Sequence, residues 1–148
     1  TMEVRGECFI DWLTFDEINR AQEEPYAHPR NLASGSIRRS DNSKVKKPFL
    51  RFEAFELLGG YSPDSKSMQL VKLKSLGFDV VNHLYIGESQ TDESVEEAIN
   101  GISEKISRDI RPADGLIVEY DDLAYGKSLG ATGHHEKRML AYKWQDEV

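Results

Sequence analysis

Two features of the sequence predict a single domain of the α+β class. Segments with the alternation typical of strands are mixed with short segments of helical periodicity, and neither an internal repeat nor a low-complexity linker separates them. The chain has 148 residues, 39% of them hydrophobic, which is enough for one compact core. We therefore expect residues 1–148 to form one α+β domain.

A strand and a helix are predicted at the start of the chain. Residues 4–10 alternate and contain β-forming side chains, and Gly6 among them predicts the close approach of another backbone. The sequence from Thr14 to Glu17 fits a capping box, in which the threonine hydroxyl and the glutamate carboxylate satisfy free backbone amides. We expect a helix that begins at Thr14 and turns Phe15 inward.

Residues 27–38 combine helix-start chemistry, small side chains and two arginines. Pro29 suits the first turn of a helix, and residues 33–36 are small enough for a ligand or another backbone to approach closely. Arg30 and Arg38 flank these small residues. The segment predicts a helix with an anion-facing surface, although two solvated arginines on an exposed helix would give the same pattern.

The rest of the chain is predicted to mix strands and helices. Residues 39–47 are polar and indicate a loop. The predicted strands are residues 49–58, which we expect to be buried, 78–86, 116–120 and 139–144, and the predicted helices begin at Ser62, Thr91 and Leu123.

The composition indicates a soluble acidic protein of the cytoplasm. The formal net charge is −7, the single cysteine excludes an internal disulfide, and no secretory leader is recognisable. No apolar run approaches the roughly 20 residues that span a bilayer. We expect an intracellular protein without a membrane partner, either a natural short chain or a fragment of a longer one.

Positive charge is concentrated between residues 28 and 51. This segment has a charge of +6 and the remainder −13, which gives the net −7. Such a distribution favours a local contact with a few phosphates over a whole-domain grip on DNA. The segment contains seven basic residues (Arg30, Arg38, Arg39, Lys44, Lys46, Lys47 and Arg51) and one acid (Asp41).

Four blocks of sequence, in this order and spacing, resemble one known family. They are residues 3–9 (Glu-Val-Arg-Gly-Glu-Cys-Phe), residues 27–38 (Ala-His-Pro-Arg-Asn-Leu-Ala-Ser-Gly-Ser-Ile-Arg), residues 114–118 (Asp-Gly-Leu-Ile-Val), and residues 129–132 (Leu-Gly-Ala-Thr) with 140–144 (Leu-Ala-Tyr-Lys-Trp). Over nearly the whole chain they resemble the adenylation domain of bacterial NAD-dependent DNA ligases, of which this chain would be the C-terminal portion.

The resemblance implies a nucleotidyltransferase fold of the ATP-grasp-like ligase type, in which antiparallel sheets wall a nucleotide pocket. In this family an enzyme lysine attacks NAD and keeps AMP as a phosphoramide. The AMP passes to the 5′-phosphate of nicked double-stranded DNA, and the nick is sealed with Mg²⁺. Such phosphoryl transfer depends on a nucleophile, on positive charge at the phosphate oxygens and on acceptors for the ribose hydroxyls.

The resemblance also implies catalytic and nucleotide-binding residues. Glu7 matches the glutamate that holds the ribose or supports the metal. Asp114 and Gly115 begin the motif whose strand lines the pocket, and Lys143 matches the lysine that stabilises charge on the α-phosphate. We expect Lys143 to point inward, because a lysine on an otherwise apolar strand is costly unless it meets an anion.

Three arginines are implied as contacts to phosphate or DNA. Arg30 and Arg38 match family arginines near the adenylate. Arg108 matches the arginine that precedes the Asp-Gly motif only if a short gap is allowed.

Several positions depart from the family pattern. The nucleophile motif Lys-x-Asp-Gly does not occur in the 148 residues, so we expect the chain to be inactive by itself. Glu119 stands where the family has a lysine, His28 where it usually has an asparagine, and Lys137-Arg138 where it has Arg-Trp. Two hypotheses remain open: part of a DNA ligase, or a non-catalytic module of ligase descent that binds a nucleotide, DNA or another partner.

The run His134-His135-Glu136 is not interpreted as a metal site. Adjacent histidines point in different directions on any regular element, and the spacing suggests no third ligand. We therefore expect no metal site built by these residues.

Overall fold

A computed structural model of the chain describes residues 1–38, 49–60 and 62–144. Its strands form two-stranded antiparallel sheets, β1–β2, β3–β6 and β4–β5. Helices with small antiparallel sheets agree with the predicted α+β class, and the predicted loop at residues 39–47 lies outside the described residues. The elements are β1 (Met2–Phe9), α1 (Trp12–Arg20), α2 (Pro29–Arg38), β2 (Arg51–Gly59), α3 (Lys66–Ser75), α4 (Asp92–Ser107), β3 (Gly115–Glu119), α5 (Leu123–Ser128), β4 (Ala131–Thr132), β5 (His135–Glu136) and β6 (Met139–Lys143).

Strands β1 and β2 pair along their whole length, from Met2 opposite Gly59 to Phe9 opposite Arg51. The register shifts next to Gly6, and a Cβ added there would overlap the carbonyl oxygen of Glu53. A side chain is therefore excluded where the two backbones meet at the bulge. The predicted close approach at Gly6 is confirmed.

Two apolar clusters hold helices against this sheet. Burial of one leucine, isoleucine or phenylalanine side chain contributes roughly 1.5–3 kcal/mol, so each cluster fixes the elements that share it. The first cluster joins the end of β1 to α1 and α2, and consists of Ile10, Phe15, Leu32 and Ala33. The second packs α3 on β2, and consists of Ala54, Leu57, Leu70 and Leu73.

Helix α1 begins earlier than predicted. Its N-cap is Asp11, whose carboxylate accepts a hydrogen bond of 2.8 Å from the backbone N–H of Thr14. The predicted capping box at Thr14 is wrong, because an aspartate three residues earlier already satisfies that free amide. The inward position of Phe15 is confirmed, since its side chain is 5% exposed.

Strand β2 is confirmed, but it is buried on one face only. Ala54 and Leu57 are fully buried, whereas Phe52 and Phe55 are 36% and 39% exposed. The expectation of a fully buried strand is wrong because α3 covers only the face that carries Ala54 and Leu57.

Residues 78–86 do not form the predicted strand. They make one isolated parallel bridge, between Val80 and Ala54. The backbone N–H of Ala54 donates to Asp79 at 2.8 Å, and that of Val81 donates to Ala54 at 3.1 Å. The apolar pattern that predicted a strand instead reflects packing on the Ala54 cluster.

Strands β3 and β6 form an antiparallel ribbon in which Gly115 faces Lys143 and Glu119 faces Met139. The closing strand predicted at residues 139–144 is confirmed as β6. Much of the ribbon is exposed. No helix in the described part of the chain is both long enough and apolar enough to cross a bilayer.

Candidate functional site

Asp114 joins two sequence blocks that lie far apart in the chain. The guanidinium of Arg30, at the start of α2, donates to the Asp114 carboxylate at 3.4 Å. The backbone N–H of Trp144, directly after β6, donates to the Asp114 carbonyl oxygen at 3.0 Å. The Arg30 and Asp114 side chains are mostly exposed, so their pair adds little stability and leaves both groups accessible to a ligand.

Gly115 permits the close pairing of β3 with β6 at this point. A Cβ added there would overlap the carbonyl oxygen of Tyr142 and crowd the backbone of Lys143. A side chain at position 115 would push Lys143 away from Asp114. The Asp-Gly pair and Lys143 are therefore held together by backbone geometry.

Lys143 is exposed, and the expectation that it points inward is wrong for this chain. Four of the five β6 residues are exposed, so the apolar composition of β6 does not imply a buried lysine. Directly paired residues of an antiparallel ribbon share a face, and residues two apart on a strand also share one. Lys143 therefore lies on the same face as Gly115, Ile117 and Glu119.

Glu7 is exposed on β1 and is the cross-strand partner of Glu53 on β2. Burial raises the pKa of the Glu53 carboxyl, and the charge of Glu7 adds to this rise, while the neighbouring guanidinium of Arg111 opposes it. Two carboxylates on directly paired residues concentrate negative charge, and the guanidinium of Arg111 offsets part of that charge.

Arg111 is a functional candidate that the sequence reasoning missed. Its guanidinium donates to Glu53 at 3.2 Å, to Asp109 at 3.0 Å and to the carbonyl oxygen of Val80 at 3.3 Å. These hydrogen bonds hold the pKa of Asp109 well below its usual range and raise that of Arg111. The sequence signal was an Asp-x-Arg pattern just ahead of the Asp-Gly motif.

The other two predicted arginines, Arg38 and Arg108, do not lie with Arg30, Asp114 and Lys143. Arg38 is exposed in the last turn of α2, and Arg108 caps the end of α4 and pairs with Glu104 at 2.6 Å. Within the described ranges, neither makes a hydrogen bond or ion pair with Arg30, Asp114 or Lys143.

The carboxylate of Glu119 is paired on both oxygens. Oε1 lies 3.2 Å from Nζ of Lys66 on α3, and Oε2 lies 3.2 Å from a guanidinium nitrogen of Arg138. Arg138 also contacts Glu56 at 3.8 Å and pairs with Glu136. The acid that replaces the family lysine is thus neutralised within the protein.

Comparison with known proteins identifies the family. The family model described as the NAD-dependent DNA ligase adenylation domain matches residues 1–147. The chain belongs to this family.

Curated relatives of this adenylation domain carry the name DNA ligase. The chain is 33% identical to the DNA ligase of Ruminiclostridium cellulolyticum, over 100% of the chain and 23% of the relative. It is 36% identical to that of Lachnoclostridium phytofermentans, over 98% of the chain and 22% of the relative. The adenylation-domain chain therefore spans less than a quarter of the length of these relatives, in their N-terminal part.

Among its described residues, this adenylation domain has exposed charged groups but no preformed metal cluster. Arg30, Asp114 and Lys143 offer exposed groups of both signs for phosphates and hydroxyls. Among the described residues, no group of three or more histidine, cysteine or acidic side chains is arranged to hold a metal. Mg²⁺ commonly takes one or two carboxylates together with substrate phosphates, and the exposed carboxylate of Glu7 is a group of this type.

Proposed function

We propose that this chain is the C-terminal portion of the adenylation domain of an NAD-dependent DNA ligase and has its nucleotidyltransferase fold. The family match supports the proposal, as does the lack of a Lys-x-Asp-Gly motif in the 148 residues. In this proposal a lysine outside these residues attacks the α-phosphorus of NAD and displaces nicotinamide mononucleotide. AMP then passes to the 5′-phosphate of nicked double-stranded DNA in the cytoplasm, and the nick is sealed.

One observation carries this proposal. The ribbon register places Lys143 opposite Gly115, the residue after Asp114, and Arg30 contacts Asp114, so three of the blocks that match the family meet at one end of the ribbon. Phosphoryl transfer depends mainly on positioning and on charge at the phosphate oxygens. A constellation of Arg30, Asp114 and Lys143 at one end of a ribbon is suited to that task.

Each residue of the proposed site has a role. Lys143 places positive charge on the α-phosphate, and Asp114 and Gly115 line the nucleotide pocket. Glu7 holds the ribose or supports Mg²⁺, which supplies charge neutralisation at the phosphates when it is bound.

The three arginines of the proposal act on phosphate. Arg30 contacts phosphate near the adenylate, where its guanidinium already reaches Asp114. Arg38 and Arg108 contact DNA phosphates, which suits their exposed positions at the ends of α2 and α4.

The experiment is a nick-sealing assay on the full-length ligase proposed here. Lys143→Ala is expected to abolish sealing and to leave the thermal unfolding temperature unchanged, because the side chain is exposed. Lys127→Ala, an exposed lysine in the last turn of α5, is the control and should seal like the wild type. Normal sealing by Lys143→Ala would remove Lys143 from the site.

A second candidate function is a non-catalytic module of ligase descent that binds a nucleotide, DNA or a partner. The acid at Glu119, in the place of a family lysine, is the observation that favours it. An adenylation assay separates the two functions: a full-length wild type that takes up AMP from NAD supports the ligase, and one that takes up none supports the module.

A further inference from the structure

Glu119 occupies the position of a family lysine, and its ion-pair partners supply positive charge beside that position. In the family pattern a lysine at position 119 helps to bind phosphate, and a tryptophan occupies position 138. Here both positions differ, and the two new side chains, Glu119 and Arg138, form an ion pair of 3.2 Å with each other. The two departures are therefore coupled in space.

Lys66 lies at the other oxygen of the same carboxylate, 3.2 Å from Glu119 Oε1. A lysine side chain reaches one bond further than a glutamate, so a cation held just beyond the Glu119 carboxylate stands close to where a lysine at position 119 would place its ammonium. The carboxylate also starts from the ribbon face that carries Lys143. Glu119 pairs with Met139, at the end of the ribbon away from Gly115 and Lys143. Lys66 thus adds positive charge to the ribbon face that carries Lys143, at the other end of that face.

The two cations beside Glu119 differ in what else holds them. Arg138 is shared among the carboxylates of Glu119, Glu56 and Glu136. Lys66 has the one carboxylate of Glu119 within ion-pair distance among the described residues. An ammonium has three donors, so Lys66 retains donors for a further anion.

The position of Lys66 is fixed by its backbone. Its N–H donates to the carbonyl oxygen of Asp121 at 2.8 Å, and the N–H of Ser67 donates to the Asp121 carboxylate at 2.7 Å. The Lys66 and Glu119 side chains are 14% and 16% exposed. A cation held in place before the ligand arrives loses little freedom on binding.

We propose that Lys66 supplies the phosphate-binding charge that the family takes from a lysine at position 119, and that Glu119 and Arg138 position it. The ligand class is the α-phosphate of an adenylate, so the inference rests on the proposed function. Glu119 is a positioning residue in this arrangement and not an obstacle to the phosphate.

The test compares AMP with adenosine as ligands of the full-length protein, by calorimetric titration at low salt. Adenosine lacks the phosphate, so the ratio of the two affinities reports the phosphate contact alone. Lys66→Met keeps the aliphatic stem and is expected to reduce the preference for AMP about 10- to 100-fold, the range for a hydrogen bond to a charged group. Adenosine affinity should stay unchanged. Lys72→Met, on an exposed position of the same helix, should keep the full preference.

An exchange variant covers the case in which Lys66→Met does not fold. Lys66→Glu alone should lose the preference for AMP, and Lys66→Glu combined with Glu119→Lys should regain it, because the cation then stands at the family position. An undiminished preference in Lys66→Met, or a double variant no better than Lys66→Glu, would overturn the inference alone. A wild type that binds AMP no better than adenosine would overturn the proposed function with it.

Discussion

At the residue scale, Arg111 shows how one side chain holds the acidic groups near Glu7 in place. Its guanidinium connects Glu53 on β2 with Asp109 at the end of α4. All three side chains are at most 23% exposed, so each charge depends on the others for its solvation. Glu53 in turn faces Glu7 across the strand pair. Arg111 is therefore connected through Glu53 to Glu7, a residue of the proposed site.

Replacement of Arg111 by methionine is expected to lower the free energy of unfolding at pH 7 by about 1–3 kcal/mol, because two partly buried carboxylates lose their partner. The loss should shrink as the pH falls. The lowered pKa of Asp109 contributes stability that is fully present above the unfolded pKa of about 3.9, and this contribution is lost as the pH falls below that value toward the lowered pKa of the folded state. The pKa of Glu53 is already raised by burial, and without Arg111 it rises further. Protonation of Glu53 at lower pH therefore reduces the loss of stability in the variant.

Urea unfolding of both proteins from pH 7 down to roughly pH 3 measures this effect, because the Asp109 contribution is lost only below its unfolded pKa. Arg108→Met is the matched control, because Arg108 lies three residues earlier and pairs with Glu104 in a mostly exposed position. It should change stability little at any pH. Equal losses in the two variants, or a loss in Arg111→Met that does not vary with pH, would contradict the interpretation.

At the element scale, the β1–β2 pair depends on the absence of a side chain at Gly6. Gly6→Ala would drive a Cβ into the carbonyl oxygen of Glu53 and the ring of Phe52. We expect a loss of about 1–3 kcal/mol in unfolding free energy, as for overpacking elsewhere. The Glu7–Glu53 pairing next to Gly6 should be disturbed with it.

Gly101→Ala is the control for Gly6→Ala in thermal unfolding. Gly101 lies inside α4, where an added Cβ meets nothing within 4 Å. Alanine there should stabilise the protein by about 0.5–1 kcal/mol, because it restricts the unfolded chain and favours the helix. If both substitutions shifted the unfolding temperature in the same direction, the close backbone approach at Gly6 would not explain the effect of Gly6→Ala on stability.

Local sequence patterns predicted the elements where local chemistry decides them. Pro29 marks the start of α2, and the alternation around Ala54 marks β2. The patterns failed where tertiary packing decides. Phe78, Val80 and Val81 are apolar because they pack on the Ala54 cluster, and one isolated bridge to Ala54 is too little pairing to make a strand. The cap at Asp11 was missed because Thr14 and Glu17 fit a capping box three residues further along the chain.

The candidate site was predictable only where a local sequence motif marks its residues. Sequence motifs marked Asp114, Gly115 and Lys143, and strand pairing places them together. The Arg111–Glu53 and Lys66–Glu119 contacts could not be predicted, because each joins residues more than 50 positions apart. Only the folded chain reveals that Glu119, an apparent defect in the sequence, is neutralised from both sides.

At the scale of the whole molecule, the β3–β6 ribbon leaves apolar surface uncovered. Val118, Leu140 and Tyr142 share the face opposite Lys143, and they are 47%, 69% and 57% exposed. A contiguous apolar patch of this kind favours association, and the outer edges of a two-stranded ribbon carry unpaired backbone groups. The 148-residue chain is therefore expected to self-associate as its concentration rises.

Sedimentation velocity over a range of concentrations measures this association, with Leu140→Ser as the variant that weakens it. The substitution removes the most exposed apolar side chain of the patch and should change folding stability little, because that side chain is already in solvent. Leu84→Ser is the control: Leu84 is 52% exposed but lies outside the ribbon. Association that falls equally in both variants would indicate general stickiness, whereas a fall in Leu140→Ser alone identifies the ribbon as the contact surface. A wild type that stays monomeric at all concentrations would show that this exposed face does not drive assembly.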